Sequence, residues 1–365
     1  MTKVPRAAPK TDVILNFISD VFIWNEPTNF GPRRPIAYHG FALPLPEKAL
    51  ISGVRRRVQP KPAVPSGIGD DCAVLRIPEN HEMLVTTDFS LEGIHFRRDW
   101  HPAESVGHRC LARGLSDIAA MGGNPVAAFL SLALPPKLSQ RWLDRFFDGL
   151  LKLAAEFNVT LAGGDTSQSP TAVLADIVVV GSVPKGNAVL RSGARPGDRI
   201  YVSGALGGSA AALDLLYSKR RKTLNTGLYP SLFFPTPQVK LGKILRQQSL
   251  ATSMIDTSDG FSTDLAHICE ESGVGARVAE SSVPRAKIGP AARLRLVDLR
   301  FALHGGEDYQ LLFTASSRQT VPPKIAGVDI TEIGVITKRR DILLTHANLS
   351  QSKLKPLGWE HFGKY

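Results

Sequence analysis

Seven aspartates in this chain stand among glycine, serine and threonine, in short segments spread from residue 67 to residue 260. Asp70 and Asp71 follow Gly67-Ile68-Gly69, Asp88 ends Thr86-Thr87-Asp88, and Asp117 ends Leu115-Ser116-Asp117. Asp165 lies in Gly163-Gly164-Asp165-Thr166, and Asp256 and Asp259 lie in Asp256-Thr257-Ser258-Asp259-Gly260. Glycine beside aspartate permits a tightly bent backbone, so these segments are read as turns. Any one of them is equally well a surface turn or a helix cap, as Asp259-Gly260 and Asp165-Thr166 illustrate. Seven near strand ends or glycine turns point further, because ligands bind there in open α/β sheets. The chain is basic, with a formal net charge of +11. Carboxylates gathered in such a chain raise one another's pKa unless a cation compensates them. Oxygen-only ligands of this kind suit Mg²⁺ or Ca²⁺, not zinc. Several such ions turn an acidic site into one that holds phosphate.

At 365 residues the chain is long enough for two domains with their own cores. No apolar run approaches the roughly 20 residues that span a bilayer, and no signal peptide is read at the N-terminus. Cys72, Cys110 and Cys269 are too few and too scattered for a disulfide framework or a zinc site, so a reducing cytoplasm is expected. The basic run Lys48, Arg55, Arg56, Arg57 and Lys61 is read as a solvated helix end. No nucleic-acid-binding signature accompanies it, so neither a nucleic-acid nor a membrane partner is expected.

Residues 1–46 are rich in proline and lack a sustained period, which predicts a weakly ordered extension with one short helix at most, over Val13 to Trp24. Glu47 to Val58 is predicted as a helix. Beyond Gly67 the texture alternates between strands and helices. Strands are expected at Met83 to Thr87, with Asp88 at the strand end, and at Val159 to Ala162, Val173 to Val180, Arg199 to Ser203, Ser253 to Ile255 and Tyr309 to Thr314. Helices are expected at Ala103 to Met121, Leu143 to Phe157, Ala210 to Tyr217 and Ser262 to Glu271. The turn cluster Gly193 to Asp198 suggests a boundary just before it, giving domains at 47–187 and 188–365, both α/β. Neither a P-loop nor the protein-kinase signature set occurs.

Taken in order, the motifs Gly67-Ile68-Gly69-Asp70-Asp71-Cys72-Ala73-Val74-Leu75, Thr86-Thr87-Asp88 with Glu92-Gly93-Ile94-His95-Phe96, Leu115-Ser116-Asp117-Ile118-Ala119-Ala120-Met121-Gly122, Gly163-Gly164-Asp165-Thr166, Arg191-Ser192-Gly193-Ala194-Arg195-Pro196-Gly197-Asp198, Ile255-Asp256-Thr257-Ser258-Asp259-Gly260 and Gly305-Gly306-Glu307-Asp308-Tyr309 closely resemble the thiamine-monophosphate kinase family. The resemblance runs from about Glu47 to Phe362. It implies two α/β domains of the aminoimidazole ribonucleotide synthetase-like type, with the N-terminal sheets pairing in a homodimer to form a barrel-like sheet. It implies transfer of the γ-phosphoryl group of ATP, with several Mg²⁺ ions, to thiamine monophosphate. Residue by residue, it places Asp71, Thr86, Thr87, Asp88, Asp117, Asp165, Asp256 and Asp259 at metal positions. Gly164, Asp165, Arg191 and Ser258 fall at nucleotide positions, and His95, Glu307 and Trp359 at thiamine-phosphate positions. Asp88, Asp117 and Asp165 are expected to be central to catalysis, and Asp70 to support its neighbour. The chain departs from the family pattern at Gly114, often Asn, and at Gly208, often an acid. Another ATP-using enzyme of the superfamily and a non-catalytic sensor of nucleotide and Mg²⁺ are the alternative readings.

Overall fold

The protein is described from a computed structural model, which covers residues 45–59, 61–218 and 224–362. The extension expected at 1–46, including the helix at Val13 to Trp24, lies outside the described residues save for its last two. In chain order the first part contains α1 (Glu47–Arg57), β1 (His81–Leu91), α2 (Ala103–Ala120), β2 (Asn124–Leu134), α3 (Gln140–Glu156), β3 (Thr160–Gln168) and β4 (Leu174–Pro184). The second contains β5 (Arg199–Ser203), α4 (Gly208–Tyr217), α5 (Pro230–Phe233), α6 (Val239–Gln247), β6 (Ser253–Asp256), α7 (Phe261–Ser272) and β7 (Gly275–Ala279). It continues with β8 (Lys287–Ile288), β9 (Arg295–Leu296), α8 (Leu299–His304), β10 (Leu311–Ala315), β11 (Lys324–Ile325), β12 (Val328–Thr337), β13 (Ile342–Thr345) and β14 (Gln351–Lys353).

Two sheets organise these elements. The first has the order β1-β4-β2-β3, antiparallel except for the parallel pair β2 and β3. The second has the order β14-β13-β7-β12-β5-β10-β6, with β11 paired to β12. A small third sheet joins β8 and β9. The architecture is mixed α/β, and neither main sheet closes on itself.

β1 shows why the first sheet needs a cover on one face. Leu84 and Ser90 are buried, whereas Met83, Val85 and Phe89 stay more than half exposed. This period of two is that of a strand with one packed and one open face. The packed face lies under α2, whose Val106, Cys110, Leu111, Leu115 and Ile118 are all buried. α3 closes the layer with Leu143, Phe146, Leu150 and Leu153 at helical spacing. α2 and α3 pack almost backbone to backbone, since a β-carbon on Gly149 would lie 1.9 Å from the Glu104 carbonyl oxygen. The largest core cluster runs on into the second part, joining α2 side chains to Leu241 and Leu245 of α6 and to Phe313 of β10. α2 is therefore buried on nearly every side and serves as the central post of the molecule.

Asp165 does not lie in the turn expected for it, Asp88 does not end its strand, and of the two expectations for Asp117, turn and helix, the helix over Ala103 to Met121 holds. Asp88 sits within β1, three residues before its end, and Asp117 lies within α2. Asp165 lies within β3, an edge strand that carries a register shift opposite Ala128 and Phe129. The shift lets glycines that look like a turn in sequence continue a strand. β2 and, apart from β10 at the strand expected over Tyr309 to Thr314, the strands after residue 274 were not anticipated either. β2 opens on Asn-Pro and is rich in alanine, so it has little β-branched signal.

Because Gly149 has no room for a side chain, Gly149→Val is expected to lower stability by more than about 2 kcal/mol through overpacking. Urea unfolding monitored by circular dichroism measures this, and a wild-type midpoint would contradict the close helix contact.

Candidate active site

The site grows from the packed face of β1. Thr86 and Asp88 are two residues apart and point toward α2, where the Thr86 hydroxyl donates to Oδ2 of Asp117. Asp256, at the end of β6, meets the same helix one residue earlier, accepting a hydrogen bond from Ser116 at 2.6 Å. A strand from each main sheet thus delivers one carboxylate to α2, which supplies the third. Burial, and then Asp117, push Asp88 up to about 8 even though Arg113 opposes the shift. Burial and Asp117 push Asp256 up to about 7. Asp117 and Asp259 are also raised, first by burial. Oδ2 of Asp88 is buried with no hydrogen-bond partner.

Three backbone segments are zipped together beside this cluster. Glu307 N–H donates to the Ser258 carbonyl at 2.8 Å, and Tyr309 N–H to that of Thr257 at 3.0 Å. The approach requires glycine at 306, where a β-carbon would lie 2.3 Å from the Ser258 carbonyl oxygen. Trp359 N–H then donates to the Asp259 carbonyl at 2.8 Å, bringing the C-terminal segment onto the same loop. Asp308 faces inward and accepts from Gly207 and Ser209 N–H at the start of α4. It anchors the Gly-Gly-Glu-Asp-Tyr segment while its neighbour Glu307 faces the site.

Glu307 has φ +65° and meets two arginines of α2 one helical turn apart. Arg109 and Arg113 both donate to its Oε1, at 2.7 and 2.6 Å. Burial alone would raise the Glu307 pKa, but the two guanidiniums hold it down at about 2. His95 lies alongside, its Nδ1 accepting from Leu91 N–H at 3.0 Å. Burial, and then Arg113, lower His95 to about 4, so its ring is neutral at pH 7. The His361 ring lies 5.7 Å from that of His95 and 5.6 Å from that of Trp359. The two buried arginines had no motif in the sequence reading. Their signal was the i, i+4 spacing of two arginines on a helix with a continuous apolar stripe.

The remaining predicted residues lie elsewhere or apart. Asp71, Gly164 and Asp165 line a cavity of about 670 Å³ bounded by Leu50 and Val54 of α1. β1 and β3 are the two edges of their sheet, so Asp88 and Asp165 are separated by roughly 14 Å across three strand spacings. Thr87 points to the open face, donating to Asp176 at 2.7 Å. Asp70 accepts from Ser66 at 2.7 Å. Arg191 lies near enough to Asp117, Asp256 and Asp259 for its charge to lower their pKa values. Ser258 is tied down through its carbonyl. Among the described residues no three His, Cys, Asp or Glu side chains already stand as a metal-ion cage. The oxygen-only donors and the unpartnered Oδ2 of Asp88 nevertheless fit a hard divalent cation.

Residues 69–183 match the model of the AIR synthase related protein N-terminal domain, which sets the class of the first sheet and its helices. The chain is 42% identical over 283 residues to thiamine-monophosphate kinase of Salmonella typhimurium, covering 74% of this chain and 84% of that protein. The crystal structure of thiamine-monophosphate kinase from Stenotrophomonas maltophilia K279a superposes with a TM-score of 0.72 at 35% identity, covering 84% of this chain and 98% of that one. A solved structure described as AaThiL complexed with AMPPCP and TMP gives 0.68 at 30% identity, covering 87% and 97%. The chain belongs to the thiamine-monophosphate kinase family.

The Glu307 ion pair predicts an acid limb of stability. Its depressed pKa adds stability that is present above about pH 4.5 and is lost as pH falls toward about 2. Glu307→Gln is expected to cost about 3 kcal/mol at pH 7 by leaving two guanidiniums unpaired. It should also flatten the loss of stability between pH 4.5 and 2. Denaturant titrations across that range check both, and an unchanged acid limb in the variant would refute the pairing.

Proposed function

We propose that this protein is an ATP-dependent kinase that transfers the γ-phosphoryl group to thiamine monophosphate, forming thiamine diphosphate and ADP. The observation that supports this reading best is the mutually repelling set of buried Asp256 with half-buried Asp88 and Asp117, beside the Arg109–Glu307–Arg113 cluster. One side calls for cations and therefore for polyphosphate; the other borders a neutral histidine and an aromatic rim. Family membership and the nucleotide analogue in the neighbouring structure point the same way.

In this reading Asp88, Asp117, Asp256, Asp259 and Thr86 hold Mg²⁺ on one side, and Asp71, Thr87 and Asp165 belong to the metal set on the other. Mg²⁺ held by these residues would supply neutralisation of phosphate charge. Gly164, Asp165, Arg191 and Ser258 receive the nucleotide, and the cavity between α1 and β3 is the space adjoining them. Arg191 places a guanidinium near the phosphates. Trp359 offers a half-exposed flat face to the cationic thiazolium ring, and His95, kept neutral, adds no charge that would repel it. The acceptor's phosphate oxygen is already anionic near neutral pH, so alignment rather than a strong general base is needed. The open apolar face of β1, with Met83, Val85 and Phe89 exposed, supports a homodimer that pairs the first sheets. Three free cysteines, two of them buried, accord with a reducing cytoplasm.

An ADP-release assay with Mg²⁺ and a panel of acceptors tests the reading. Thiamine monophosphate is expected to be turned over and unphosphorylated thiamine not. Turnover of formylglycinamidine ribonucleotide in place of thiamine monophosphate would sink it. Asp88→Asn and Asp117→Asn should each reduce kcat by at least about 100-fold while keeping the native circular dichroism spectrum. Wild-type rates in either would remove that residue from the set.

A further inference from the structure

Arg113 stands where the two halves of the site meet. Its Nη1 donates at 2.9 Å to the carbonyl of Phe89, the residue that follows Asp88. Its Nη2 donates to Oε1 of Glu307 at 2.6 Å. The side chain is only 10% exposed, and its Nε is buried without a partner. Arg109 shares the same Glu307 oxygen, but its remaining bonds go to the carbonyls of Leu232 and His95. Arg109 thus anchors Glu307 within the acceptor side. Arg113 alone among the described residues bonds both Glu307 and the backbone of β1.

We propose that Arg113 is a positioning residue for phosphoryl transfer, holding the Asp88 segment of β1 and the Glu307 loop in one fixed register. The inference rests on the functional reading above. A guanidinium is a rigid planar fork, so its two terminal nitrogens fix the separation and angle of the groups they bind. In-line attack needs that alignment, and a displacement of about 1 Å can cost about 100-fold in rate. A lysine at 113 would keep the charge but present a single point, which cannot span a carbonyl and a carboxylate in one plane.

The test compares wild type with Arg113→Lys and with the paired variant Arg113→Gln/Glu307→Gln. The paired variant removes Arg113 and Glu307 together, so Arg109 is the one guanidinium left without its carboxylate, where Glu307→Gln alone leaves two. Wild-type turnover of thiamine monophosphate is measured first, and its absence would defeat the functional reading rather than the role of Arg113. Given that turnover, each variant is expected to lose about 100-fold in kcat, with KM for ATP and calorimetric affinity for AMPPCP changed by less than about threefold. A purely structural role would instead weaken nucleotide binding and melting temperature together with rate. Restoration of wild-type kcat by Arg113→Lys would show that charge alone suffices and would overturn the proposal. So would wild-type kcat in the paired variant, or a loss of nucleotide affinity as large as the loss of rate.

Discussion

One buried carboxylate, Asp256, and two half-buried ones, Asp88 and Asp117, meet where β1, α2 and β6 come together, and their mutual repulsion governs the rest of the site. Burial pushes Asp88 and Asp256 up, to about 8 and about 7. Without cations such groups stay protonated near neutrality or destabilise the fold. A chain that needed only stability would have no use for them, since apolar residues would pack there at lower cost. In the function proposed, cations bound there would turn the same arrangement into a surface for phosphate.

The fold provides this placement with little freedom left. α2 is pinned by α3 at backbone contact and by the first sheet beneath it. Its Ser116 and Asp117 reach carboxylates or hydroxyls from both main sheets, through Asp256 and Thr86. One to two turns toward its N-terminus, Arg113 and Arg109 hold Glu307. A single helix therefore carries contacts to the side proposed for the donor and to the side proposed for the acceptor. The loop hydrogen bonds linking residues 257–259 to 307–309 and to Trp359 bring the distant C-terminal segments to the same place.

Much of this was legible in the sequence, for stated physical reasons. The helices α2 and α3 followed from apolar residues at 3.6 spacing, and Arg199–Ser203 from an apolar run bounded by turns. Asp88, Asp117 and Asp256 were named in advance, and the structure brings these three together. The assumption that glycine or serine beside aspartate means a turn failed for Asp165, because an edge-strand irregularity is a tertiary effect, and at Asp117 it gave way to the helix that the apolar period predicts. The separation of Asp165 from Asp88 depends on strand order, β1-β4-β2-β3, which local pattern does not encode. Arg109 and Arg113 escaped notice for a related reason, since a buried pair of arginines makes sense only once Glu307, about 200 residues later, is seen between them.

As proposed above, the carboxylate cluster is a site for cations. Isothermal calorimetry of Mg²⁺ with AMPPCP, at pH 7 in two buffers of different ionisation enthalpy, tests it most directly. With Asp88 held up at about 8, ion binding must displace protons. The account predicts buffer-dependent heats corresponding to net proton release, reduced in Asp88→Asn. Identical heats in the two buffers, or a release unaffected by that substitution, would contradict it.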